Sequence, residues 1–115
     1  VLTDADEVFE KSAFSSCGAD AFVAKLNDLS IKQVLICGLE THVCVNQTTH
    51  DLLTRGFQVH ILTDCVCSRF EHNREAGLAK MLASGAIPSS IEMALFELMR
   101  DSKHERFKEI QRLIK

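Results

Sequence analysis

Cys44 is the residue best placed to do chemistry in this chain. It lies within residues 33–56, QVLICGLETHVCVNQTTHDLLTRG, where the apolar run Val34-Leu35-Ile36-Cys37 stops at Gly38. A turn, Gly38-Leu39-Glu40-Thr41-His42, follows, and then Val45, Thr48, Thr49, Leu52 and Leu53 recur at three- and four-residue steps as far as Arg55-Gly56. This pattern predicts a strand covered on both faces in a parallel sheet, a sharp turn, and a helix that opens on the cysteine. The first amides of a helix lack intrahelical partners and its dipole favours negative charge there, so a thiol in that place is biased toward the nucleophilic thiolate. A free cysteine is more often a small buried hydrophobe. Here the setting reverses that expectation, because the carboxyl ends of strands are where open α/β sheets bind ligands.

A reactive thiol needs a partner. Lys11 sits in a loop crowded with small residues, Ser12, Ser15 and Ser16 around Phe14. A lysine held near a thiol would stabilise the thiolate, although spacing alone makes Lys11 an ordinary solvated loop residue. His42 is two residues from Cys44 and could line its pocket, but closeness in sequence does not make a general base. His50 falls on the far side of the helix from Cys44. His60 is read on a strand and His72 on a helix, and nothing in the spacing makes the histidines converge. Glu40 and Thr41 have the simple reading of turn residues. Neither C-x-x-C nor H-x-x-x-H occurs, and Cys65-Val-Cys67 alone is a weak metal pattern, so no metal or cofactor is expected.

The elements that must position these groups follow from apolar spacing. Val8-Phe9 reads as a short strand delivering Lys11. Residues 20–29 carry Phe22, Val23, Leu26 and Leu29 on a helical repeat. Residues 57–62 read as a second strand, ending at Thr63-Asp64, so that strand, helix and strand form a βαβ unit with a crossover between parallel strands. Residues 65–70 are then a loop on the side of Cys44. A helix over residues 71–84 closes at Gly85, and Ala86-Ile87-Pro88 is a peripheral strand because proline cannot donate to a ladder. Ser89 or Ser90 caps a helix that packs Met93, Leu95, Phe96, Leu98 and Met99 inward. The last helix, residues 103–115, shows the apolar stripe Phe107, Ile110, Leu113 and Ile114.

With 115 residues, 46% of them hydrophobic and 25% charged, the chain can bury the core of one domain. A net charge of −3 with scattered basic residues leaves no electrostatic footprint for nucleic acid or an anionic membrane. No apolar run approaches the roughly 18 residues of a membrane span, and the N-terminus has no signal-peptide pattern, which makes a cytoplasmic location the default. Five cysteines (Cys17, Cys37, Cys44, Cys65, Cys67) are an odd number and argue against a secreted disulfide framework.

The run GLETHVCVNQTTHDLLTRGFQVHILTDCVCSR resembles the nucleophile region of the isochorismatase-like cysteine hydrolases, and KSAFSS resembles their lysine loop. Within that superfamily, ETHVCV and RFKEIQRLIK are most similar to the isochorismatase domain-containing proteins. The resemblance covers nearly the whole chain. It implies a Rossmann-like three-layer α/β/α fold with a parallel sheet, residues 1–115 forming the C-terminal portion of such a domain. It further implies a triad of aspartate, lysine and cysteine, in which Cys44 matches the nucleophile and Lys11 the lysine. The family's aspartate closes the first strand, well upstream of the lysine loop. Asp4 and Asp6 stand too close to Lys11 and lack a preceding apolar run, so the role is carried onto neither, and the N-terminal strand is expected to lie outside this chain. The resemblance also implies a cis peptide at Leu39–Glu40, an oxyanion hole from the Glu40 and Cys44 backbone N–H groups, and Phe14, Thr41 and His42 as pocket residues. The family's metal site belongs to its nicotinamidase branch and to the absent half. The implied activity is attack on a small-molecule amide, or a related C–N or C–O bond, by a homo-oligomeric enzyme. Two other classes stay open: an idle scaffold that associates through the C-terminal stripe, and a thiol-redox protein pairing Cys44 with Cys65 or Cys67.

Overall fold

The computed structural model describes residues 3–115. Three parallel strands, β1 (Gln33–Leu39), β2 (Gln58–Cys67) and β3 (Ile87–Ser89), stand in the order β1-β2-β3. Helix α1 (Asp20–Asp28) precedes the sheet, α2 (Asn46–Thr54) and α3 (Glu71–Ala83) make its two crossovers, and α4 (Ile91–Met99) and α5 (Phe107–Leu113) follow it. Parallel neighbours cannot be joined by a tight hairpin, which is why a helix lies in each connection.

Side chains alternate across a strand, and this sorts the layers. Val34, Ile36, Val59 and Ile61 face one side and pack with Phe22, Val23 and Leu26 of α1, Leu52 and Leu53 of α2, and Leu78, Met81 and Leu82 of α3. Leu52, Ile61 and Met81 are completely buried there, each contributing about 1.5–3 kcal/mol of transfer free energy. Leu35 and His60 face the other side, where they line an open cavity of about 470 Å³ together with Ala94 and Leu98 of α4. The fold is the expected α/β arrangement, with helices on both faces of a parallel sheet.

Several boundaries and faces differ from the sequence reading. β1 is not covered on both faces: Leu35 is 46% exposed, because on the far side α4 packs mainly against β2. β2 runs to Cys67 and absorbs residues 65–67 of the expected loop, leaving 68–70 as the connection to α3. Its ladder with β1 is irregular, Ile36 pairing with Ile61 but Gly38 with Val66, so four residues of β2 stand against Cys37. Arg74 of α3 spans that irregularity, its guanidinium donating to the carbonyls of Thr63 and of Val66, the latter at 3.1 Å. Val8-Phe9 forms no strand; instead the Phe9 ring meets Phe22 edge-on at 5.7 Å. Ser90 is the cap of α4, its Oγ accepting from the Met93 amide at 3.2 Å, but the buried face is Ala94 and Met99, while Met93, Phe96 and Leu98 are exposed. The sequence of α4 is apolar nearly all round, so periodicity cannot choose its inner face. α5 is shorter than expected, and of its stripe Leu113 is exposed while Phe107 and Ile110 are half-buried.

Candidate active site

At the carboxyl end of β1 the chain changes course within a few residues. Gly38 has φ +112°, a conformation that an L side chain rarely adopts, and the Leu39–Glu40 peptide is cis. Thr41–Val45 then forms a single wide π-helical turn that runs directly into α2. The Glu40 carbonyl accepts from both Val43 N–H (3.1 Å) and Val45 N–H (3.2 Å), which anchors the turn to the end of the strand. Cys44 is the fourth residue of this turn, so the helix opens three residues before the cysteine instead of on it. It remains in the first turn of a continuous helical segment, with its thiol half-buried.

Lys11 reaches the same place from the other end of the chain. Its ammonium donates to the carbonyls of Ala13 (3.0 Å) and Phe14 (2.9 Å), which curls the loop around the charge. Gly18 closes this loop: a Cβ there would stand 2.4 Å from that of Ala13. The Ser16 amide donates to Thr48 Oγ1 at 2.9 Å, tying the lysine loop to α2 four residues beyond Cys44. Lys11 and Cys44 thereby line one cavity of about 340 Å³, shared with Ser16, Cys37, Leu39 and Thr48. Phe14, Thr41 and His42 are not among its lining residues. Phe14 is exposed; Thr41 is fully buried, its hydroxyl without a hydrogen-bond partner among the described residues; His42 Nδ1 lies 3.0 Å from Ser68 Oγ. Glu40 also turns away, and its Oε1 accepts from Arg69 N–H (3.1 Å) and Arg69 Nε (2.9 Å). Those bonds, the amide's first, hold the Glu40 carboxyl below the usual glutamate range.

Several other titratable groups have structural partners. His50 Nδ1 meets the Asn46 carbonyl at 2.7 Å and its Nε2 meets Ser84 Oγ at 2.9 Å, joining α2 to the end of α3. The Asp64 carboxylate accepts from the Ile91 amide at the start of α4, at 3.1 and 3.2 Å. Asp6 accepts from Thr3 in an exposed turn. Burial pushes the Cys17 thiol up, and burial together with the Asp64 charge does the same for Cys65. Among the described residues no group of three or more His, Cys, Asp or Glu side chains could hold a metal ion. Thr48, Arg69 and Ser68 escaped the sequence reading because each acts through a partner 26 to 32 residues away.

A family model described as "Isochorismatase domain" matches residues 1–93. Isochorismatase domain-containing protein 1 of Salmo salar is 41% identical over 114 residues, which are 99% of this chain and 40% of that protein. Among solved structures, the MAR1 ribonuclease of Caenorhabditis elegans is 39% identical, with a TM-score of 0.83 over 90% of this chain and 53% of its own. The nicotinamidase/pyrazinamidase PncA of Bacillus subtilis is 30% identical, with a TM-score of 0.66 over 70% of this chain and 45% of its own. The chain spans about half or less of the length of these relatives. A single family model covering most of the sequence, with a relative of that name at 41% identity, places this chain in the isochorismatase family.

Proposed function

We propose that the protein is a cysteine hydrolase of small-molecule amides, or of related C–N or C–O bonds, with Cys44 as nucleophile and Lys11 as the cation that favours its thiolate. One observation carries this reading: Lys11 and Cys44, distant in sequence, line a common cavity at the carboxyl end of a parallel strand. Residues 1–115 then act as the C-terminal portion of an isochorismatase-like domain. The thiolate attacks the substrate carbonyl carbon, and the negative charge moves to oxygen. The Glu40 and Cys44 backbone N–H groups stabilise that oxyanion, at about 3–4 kcal/mol per donor in comparable sites. The leaving group takes a proton, and water then releases the thioester. The base that accepts the Cys44 proton is the family's aspartate, which we assign to a position upstream of Val1. Neither Asp4 nor Asp6 takes the role, since both lie in one exposed turn, where Asp6 is committed to Thr3. Five free thiols favour a reducing, cytosolic compartment. The exposed apolar residues of α4 and α5 favour a homo-oligomer.

The test is turnover by the full-length protein on a panel of primary amides. Nicotinamide and pyrazinamide head it, as the amides in the name of the Bacillus subtilis relative. Cys44→Ser should abolish release of ammonia and leave the circular dichroism spectrum unchanged. Undiminished turnover in that variant overturns the assignment.

A further inference from the structure

We infer that Glu40 and Arg69 form a positioning clamp that sets the height of the oxyanion-hole turn against the Cys44 sulfur. This rests on the reading of Cys44 as nucleophile and goes on to say what orients its surroundings. The turn is held from two sides. On one, Glu40 Oε1 takes both the Arg69 amide and its guanidinium nitrogen, while His42 Nδ1 meets Ser68 Oγ at 3.0 Å. Residues 40 and 42 are thus pinned to consecutive residues 69 and 68, just after β2. On the other side α3 meets the turn backbone to backbone at Gly77, where a Cβ would stand 3.0 Å from His42 Cα and 3.1 Å from its nitrogen.

The energetics say what such a clamp is for. Arg69 is 74% exposed at its side chain and Glu40 21%, and ion pairs so placed contribute little to stability. Yet the carboxylate is attached to a residue whose own N–H is a proposed oxyanion donor. A shift of the turn by a fraction of an ångström moves that donor away from the developing charge, and catalysis is far more sensitive than folding to such shifts. Arg69 is therefore a positioning residue, acting through Glu40, and touches no substrate.

The experiment separates two reactions of one thiol in the full-length protein. p-Nitrophenyl acetate acylates: the Cys44 sulfur bonds to the acetyl carbon, the ester C–O bond breaks, p-nitrophenolate leaves with the electron pair, and the thiol proton passes to the proposed aspartate base and from it to solvent. An oxyanion develops in that step. Iodoacetamide alkylates at a saturated carbon with loss of iodide, and no oxyanion forms. Arg69→Ala should slow the Cys44-dependent burst of p-nitrophenolate about tenfold and leave the alkylation rate of Cys44 unchanged. Glu40→Ala, which also frees the Arg69 amide, should slow the burst further, and Arg69→Lys should recover part of the loss. The double variant should be no slower than Glu40→Ala alone. Equal bursts in wild type and Arg69→Ala overturn the clamp and leave the nucleophile standing. A parallel loss of acylation and alkylation in Arg69→Ala also overturns it, by showing a structural effect. The absence of any Cys44-dependent burst in the wild type overturns the nucleophile reading and this inference with it.

Discussion

Five thiols share this chain, and their surroundings separate them. Cys17 is buried and Cys65 lies beside Asp64, and both are pushed up, so at neutral pH each holds less thiolate than a free cysteine. Cys44 lies in the first turn of a helical segment and opens to the cavity that Lys11 lines. Iodoacetamide labelling followed by peptide mass spectrometry should find Cys44 modified ahead of Cys17, Cys65 and Cys67. Labelling of Cys17 or Cys67 first would remove the basis of the nucleophile assignment. Glu40 gives a second prediction. Its folded pKa is lowered, so the Arg69 pair contributes above the ordinary glutamate range and is lost as pH falls through the lowered value. The Glu40 carboxyl resonance should accordingly titrate at lower pH than that of a reference glutamate peptide, and Arg69→Ala should bring the two closer together.

At the scale of elements, α3 carries two positions whose loss should be felt beyond the helix. Arg74 donates to one carbonyl within the irregularity in β2, Thr63, and to one just beyond it, Val66, and its side chain is mostly buried. Arg74→Met keeps the aliphatic packing but strands those carbonyls, and should cost about 2 kcal/mol, read as a lowered urea midpoint. Gly77 opposes the usual helix rule. Alanine is favoured over glycine in a helix by about 1 kcal/mol, but here its Cβ would press on the backbone of Thr41 and His42, which cannot swing aside as a side chain could. Gly77→Ala should therefore be destabilising in thermal melts and should slow Cys44 acylation. The βαβ unit itself was legible in the sequence, since the periods of β1, α2 and β2 differ clearly. The inner face of α4 was not, because a helix apolar on all sides is oriented only by what it meets.

Over the whole molecule, apolar surface lies exposed on the sheet face and on the last two helices: Leu35 on β1, Phe96 and Leu98 on α4, and Leu113 on α5. The outer edge of β1 pairs with no strand among the described residues. Open edges and apolar faces of this kind drive self-association. The 115-residue chain expressed alone should sediment as associated species, and Leu98→Lys combined with Leu113→Lys should lower their mass. A monomer at micromolar concentration before substitution would show that these faces need no cover.

The sequence by itself determined the strand, turn and helix around Cys44 and the parallel α/β class, and its family resemblance singled out Cys44 and Lys11 for the proposed chemistry. The elements are local: they follow from apolar period and from glycine at the turn, whereas Lys11 is singled out by the resemblance alone. Only the tertiary structure decided that Lys11 and Cys44 border one cavity, that Thr48 ties their two segments together, and that Glu40 turns away from the cavity to Arg69. It also decided that Phe14, Thr41 and His42 lie outside the cavity lining. Each of these is a pairing between distant segments, or a choice between two sides of a turn. No period in a sequence encodes either, because both are fixed only when helices and strands close on one another.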